Sequence, residues 1–172
     1  MKTLHLLRHA KSSRDDPKLD DHERPLNPRG IEDGMAVAEH CAKTGVHPAL
    51  ILCSSSVRTR ATLALMLPYL PVAQILVERE LYLAGADELL RRVRAVADDC
   101  PSVLVIGHND GIHDFARSLP GQQGDAELRI RLGAKFPTSA LASVDFDVPA
   151  WRQIGPGRGI LTGFVTPKDL HC

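Results

Sequence analysis

Four residues of this chain have side chains that suit a single anion: Arg8, His9, Arg58 and His108. Guanidinium forks pair bidentately with phosphate oxygens, and a neutral imidazole is a competent nucleophile toward phosphorus. A second, protonated imidazole can hold the charge that builds on the equatorial oxygens. The chemistry implied is phosphoryl binding and transfer, and it requires no metal and no other cofactor. An isolated Arg-His pair means little, so the question is whether the folded chain brings the four together.

Three apolar runs answer it in outline. Leu4–Leu7 delivers Arg8 and His9 at its end and then breaks into the small polar residues Ser12 and Ser13. Ala49–Cys53 breaks at once into Ser54-Ser55-Ser56, and the helix that follows, expected over Val57 to Met66, carries Arg58 in its first turn. Val103–Ile106 ends in Gly107-His108-Asn109-Asp110-Gly111. Continuous apolar runs of this length read as parallel strands covered on both faces, and ligands of such sheets bind at the carboxyl ends of the strands. The backbone N–H groups of the helix opening near Arg58 add anion donors.

Between these runs the helical spacing is regular. Pro28-Arg29-Gly30 opens a helix with Ile31, Met35, Ala38, Cys41 and Ala42 expected on its inner face, and Gly45 ends it. Ile75–Val77 is a third strand, Asp87–Asp98 an amphipathic helix with Arg91, Arg92 and Arg94 on its solvated side, and Ile112–Leu119 a further helix. The β-α rhythm argues for a parallel sheet with helices on both faces. Beyond Pro120 the rhythm changes: Gly121–Asp125 reads as a flexible linker, Ala126–Leu132 as a short helix, and Ala140–Phe146 and Gly159–Val165 as closing strands at an antiparallel edge. Ser12–Pro28 contains three prolines and little apolar periodicity, and a loop of that length in a compact domain is a functional candidate.

The 172 residues suit one domain, 1–172, with 44% hydrophobic and 24% charged residues. Basic and acidic residues balance at 21 each, so no overall field favours nucleic acid or a membrane surface, and any anion site is local. No apolar targeting stretch follows Lys2, and a cytoplasmic location is expected. Cys41, Cys53, Cys100 and Cys172 form no CxxC pair and read as reduced structural thiols. His22, His40, His47, His113 and His171 lack metal-ligand spacing with them, His5 reads as a packed or edge histidine of the first strand, and Trp151 as a packing residue.

Leu7-Arg8-His9-Ala10, Ser54 to Thr62 and Gly107-His108-Asn109 together resemble the histidine phosphatase, or phosphoglycerate-mutase-like, superfamily. Arg24-Pro25-Leu26-Asn27-Pro28-Arg29-Gly30 and Lys135-Phe136-Pro137-Thr138-Ser139-Ala140 resemble elements of its SixA-type phosphohistidine phosphatase branch. The resemblance implies a three-layer α/β sandwich with a central, mostly parallel sheet. It makes His9 the nucleophile that is transiently phosphorylated, with Arg8, Arg58 and His108 as the phosphate pocket and Ser12 as a further phosphate contact. It implies hydrolysis of a phosphorylated protein, phosphohistidine in particular, or of a small phosphorylated metabolite. Ala10 stands where the family usually has Gly, and Ser55 where a proline is common. The proton donor is Glu80, Asp110 or neither. A phosphomutase of the same superfamily, or a phosphate-binding module without turnover, are the alternative readings.

Overall fold

The computed structural model describes residues 1–171. Its seven strands form one sheet in the order β3-β2-β4-β1-β6-β7-β5, where β1 is Lys2–Arg8, β2 Leu50–Ser54, β3 Gln74–Glu78, β4 Ser102–Gly107, β5 Pro120–Gly124, β6 Leu141–Phe146 and β7 Gly159–Val165. β1 runs parallel to β4, β4 to β2, and β2 to β3. β6 is antiparallel to both β1 and β7, and β5 is parallel to β7. The six helices are α1 (Pro28–Thr44), α2 (Val57–Met66), α3 (Ala86–Arg94), α4 (Gly111–Ser118), α5 (Ala126–Ala134) and α6 (Pro167–Leu170).

Alternation along the strands builds a core on each face of the sheet. Leu4, Leu6, Val103 and Val105 pack with residues of α3, α4 and α5, while Leu7, Leu104 and Ile106 pack with Val37, Ala38 and Cys41 of α1 and Leu63 and Met66 of α2. The central strands are therefore apolar on both faces, which is why they read as unbroken apolar runs.

Local chemistry sets the helix starts and stops. Asn27 caps α1 by accepting from the Gly30 N–H at 2.7 Å, Pro28 occupies the first turn, and Gly45 closes the helix with φ 73°. Ser56 caps α2. The buried face of α1 is Gly30, Asp33, Gly34, Val37, Ala38 and Cys41, whereas Ile31 and Met35 stay in solvent. The expected face is thus rotated. Two glycines and an aspartate occupy its N-terminal half, and apolar periodicity does not detect them.

Three further expectations change. Gly121–Asp125 is not a linker: residues 120–124 form the edge strand β5 beside β7. The antiparallel strand β6 is internal, because β7 and β5 continue the sheet beyond it. The helix expected to reach Asp98 ends as α3 at Arg94, and one of its arginines leaves the solvated face: half-buried Arg92 grips Glu78 at 2.6–3.1 Å, while Arg91 and Arg94 are exposed, Arg94 donating to the Ile154 carbonyl. Trp151 is buried, with its indole N–H on the Cys100 carbonyl at 2.8 Å. Cys41, Cys53 and Cys100 are free thiols, and Cys172 lies outside the described residues.

Candidate active site

β1, β2 and β4 end side by side, so the turns after them share one edge of the sheet. There a cleft of about 670 Å³ opens, lined by Arg8, His9, Ser12, Arg58 and His108 together with Asp21, Arg24 and Asn109. A hollow of similar size, about 730 Å³, lies beside β6 and β7 around His5 and Ser143. Volume does not separate the two, but the converging cations and imidazoles do.

The His9 ring is buried and its tautomer follows from its partners. Nδ1 stands 2.7 Å from the Ala10 carbonyl, which only accepts, so Nδ1 carries the proton. Nε2 then holds a lone pair, and Arg58 Nε donates to it at 3.3 Å. Burial lowers the His9 pKa to about 4; the Ala10 carbonyl opposes that, while Arg58, Arg8 and Arg24 add to it. The ring is neutral at physiological pH.

His108 is fixed in the same manner. Arg58 Nη2 donates to its Nδ1 at 3.3 Å, leaving Nε2–H to donate to Ser54 Oγ at 2.7 Å. Burial first, then His9 and Arg58, lower its pKa to about 3. This imidazole is therefore neutral, not the protonated partner expected from the sequence. Its ring centroid is 5.3 Å from that of His9 and 5.3 Å from that of Tyr82.

Backbone contacts hold these side chains in register. The Ala10 N–H donates to Thr62 Oγ1 at 2.9 Å, and that hydroxyl donates to the Arg58 carbonyl at 2.7 Å, which ties the end of β1 to α2. Ser139 N–H is shared between the Arg8 and His9 carbonyls at 3.1 Å each. Arg8 Nη1 and Asn109 Nδ2 both donate to the Phe136 carbonyl, at 3.2 and 2.8 Å. Ala10 is wholly buried, and its Cβ is accommodated because Gly34 of α1 lies opposite.

The pocket is electrostatically incomplete. Arg8 and Arg58 repel one another closely enough to lower the Arg8 pKa, an effect second to burial. Arg8 Nε and Asn109 Oδ1 are buried and lack a hydrogen-bond partner among the described residues. Two guanidinium groups this close favour a negative charge between them.

Sequence reasoning missed Asp21. Its carboxylate accepts from Arg58 Nη2 at 3.0 Å, from Arg24 Nε and Nη2 at 3.2 and 3.0 Å, and from the Tyr82 hydroxyl, while its carbonyl takes Arg58 Nη1 at 2.7 Å. Partial burial pushes its pKa up, but the bonds from Tyr82, Arg58 and Arg24 outweigh that and hold the carboxyl well below the usual range. Asp21 sits in an Asp-rich loop, where its type gave no signal; its place three residues before Arg24 was the only cue. Arg24 also donates to Ser12 Oγ at 2.5 Å, and His22 bonds Ser55 at 2.9 Å, so the Ser that replaces a family proline anchors the loop.

The two expected proton donors do not line this cleft. Glu80 is exposed on the 3-10 turn Arg79–Leu81, which turns its neighbour Leu81 inward and brings Tyr82 toward the site instead. Asp110 is exposed just before α4 and makes no capping bond there; it acts on Arg8 only through its charge.

No family model matches the chain. A Mycobacterium tuberculosis protein, itself uncharacterised, is 36% identical over 164 residues, spanning 94% of this chain and all of the relative. Among solved structures, one named for the SixA phosphohistidine phosphatases, from Nakamurella multipartitia, is 30% identical with a TM-score of 0.81 and covers 96% of both chains. A second of that name, from Agrobacterium tumefaciens, is 28% identical with the same TM-score, over 96% of this chain and 98% of its own. Sequence, sheet order and the meeting of Arg8, His9, Arg58 and His108 at one strand edge agree: the chain belongs to the histidine phosphatase superfamily, with the SixA-type phosphatases as its structural neighbours.

Proposed function

We propose that the protein is a metal-independent phosphatase that works through a covalent phosphohistidine on His9 and that its substrate is a phosphohistidine side chain of a protein. The observation that carries this reading is the tautomer of His9: its Nδ1–H is anchored on the Ala10 carbonyl, so a neutral Nε2 lone pair faces Arg58. The lone pair attacks phosphorus in line; the bond from phosphorus to the leaving atom breaks, and its electron pair stays on that atom. Arg8 and Arg58 neutralise the phosphoryl oxygens. As the dianion enters, it raises the pKa of His108, which takes up a proton and donates it as a hydrogen bond. Water then attacks phosphorus, the P–N bond breaks with its electron pair returning to Nε2, the proton of the water passes to solvent, and inorganic phosphate leaves a neutral His9.

The leaving group is what favours phosphohistidine. Asp21, the carboxylate bonded to Arg58, is held ionised by Tyr82, Arg58 and Arg24, so it has no proton to give. An alkoxide leaving group needs such a proton, whereas an imidazole nitrogen, protonated from solvent, leaves without a strong acid.

Trapping tests the mechanism. Brief exposure to a radiolabelled phosphodonor is expected to give an acid-labile, base-stable label on the wild type and none on His9→Ala, whose kcat falls by about a thousand-fold or more. Activity is expected to be unchanged by chelators, with inorganic phosphate as product. Unlabelled wild-type protein, or intact turnover in His9→Ala, would falsify the reading. Transfer of phosphate between positions of one substrate would indicate a mutase.

A further inference from the structure

We propose that the basic groove beside the cleft is a second anionic subsite, which receives an acidic side chain flanking the phosphorylated residue of the protein substrate. This deepens the reading above and rests on it. The groove has a volume of about 300 Å³, and Lys11 and Thr138 line both it and the cleft, so the two hollows adjoin. Among the described residues its remaining charged lining is Arg29, Lys135 and Lys168 with one side-chain carboxylate, Asp33, and it is Lys11 and Lys135 that make the subsite.

That carboxylate is already engaged. Asp33 is 5% exposed and accepts from Arg29 Nε at 3.1 Å and His171 Nε2 at 2.8 Å. The ammonium groups of Lys11 and Lys135 are exposed and have neither an ion pair nor a hydrogen bond among the described residues. In a chain with no net charge, positive charge is thus concentrated beside the phosphate pocket.

The groove is also held in register with the chemistry. Lys11 is two residues beyond His9, and its carbonyl accepts the Asn27 N–H at 3.0 Å. Lys135 directly precedes Phe136, whose carbonyl binds Arg8, and Ser139 in the same stretch binds the Arg8 and His9 carbonyls. Two residues of extended chain span roughly 7 Å, so an acidic residue one or two places from the phosphorylated one reaches the groove while the phosphoryl group sits against His9. The cavity is small enough to take one carboxylate-bearing side chain rather than a folded element.

The test uses peptides carrying a non-hydrolysable phosphonate analogue of phosphohistidine flanked by Glu, Gln or Lys, with binding read by fluorescence anisotropy. The Glu-flanked peptide is expected to bind about five-fold more tightly than the Gln-flanked one at low salt, with the gap closing at high salt. Lys135→Glu is expected to reverse the preference, read as the ratio of the Glu-peptide to the Gln-peptide Kd within the same variant. Equal Kd values for the Glu and Gln peptides, or a preference that survives Lys135→Glu, overturn the subsite. Turnover of the corresponding true phosphohistidine peptides is measured separately: its absence overturns the phosphatase reading and leaves the binding result to decide the groove.

Discussion

Asp21 shows how much of the proposed phosphate pocket is held in place by a residue outside the Arg8, His9, Arg58 and His108 set. It fixes Arg58, whose guanidinium is buried and has both terminal nitrogens on Asp21. It also competes with any incoming dianion for the Nη2 donor. Removing the charge while keeping the shape separates these effects. In Asp21→Asn the backbone carbonyl still holds Nη1, so inorganic phosphate or tungstate is expected to inhibit about three- to ten-fold more strongly, as read from inhibition constants. Weaker inhibition would show that the carboxylate orients Arg58 more than it competes. Such a residue is hard to find from sequence, because an aspartate among Asp15, Asp16 and Asp20 looks like a solvated loop charge. Arg8, His9, Arg58 and His108 were legible because each follows directly on a strand end or a helix start, where the apolar pattern stops.

The elements behave similarly: those with a strong local signal were legible, and those decided by tertiary contact were not. α2 and β7 follow the limits expected from Ser56, Pro68 and the flanking glycines, since caps and breakers act locally. β5, Pro-Gly-Gln-Gln-Gly, has no strand propensity and exists because β7 offers it an edge. The rotated face of α1 has the same origin. A Cβ built on Gly30 comes 2.1 Å from the Lys11 carbonyl oxygen, so the helix approaches the active-site loop as closely as only glycine permits. A Cβ on Gly111 meets the Ala84 carbonyl oxygen at 1.8 Å, which places the same demand on the start of α4. Gly30→Ala is expected to cost about 2–4 kcal/mol in denaturant unfolding and to lower kcat by shifting the loop behind His9. A variant of unchanged stability would show that the helix moves aside without cost.

At the scale of the whole molecule, three histidines are buried in neutral form. His5, packed in β1 against Ser143 at 2.7 Å, has its pKa lowered by burial to about 4, as does His9, and His108 lies near 3. Each folded value lies below the ordinary 6.5, so between these limits the unfolded chain binds protons that the native state does not. Stability is therefore full above about pH 6.5 and falls as pH drops toward 4, with a limiting slope of about 1.4 kcal/mol per pH unit for each histidine. Urea midpoints are expected to fall steadily from pH 7.5 to pH 4.5, and bound phosphate, by favouring protonated His108, is expected to flatten the slope. A midpoint independent of pH over that range would contradict the neutral assignment. The loop between β1 and α1 has a different bearing on the molecule. Its neck is closed by pairing of Ser12 with Leu26, by Ser13 N–H on the Pro25 carbonyl at 2.7 Å, and by Asn27 N–H on the Lys11 carbonyl. Closure entropy varies only slowly with loop length, so the exposed span from Arg14 to Asp20 can lengthen, shorten or change composition while the neck, together with Asp21 on Arg58 and His22 on Ser55, shields β1, α1 and α2 from the change. The fold thereby carries an exchangeable tip beside His9, the proposed nucleophile, whose length and composition are uncoupled from how β1 and α1 pack.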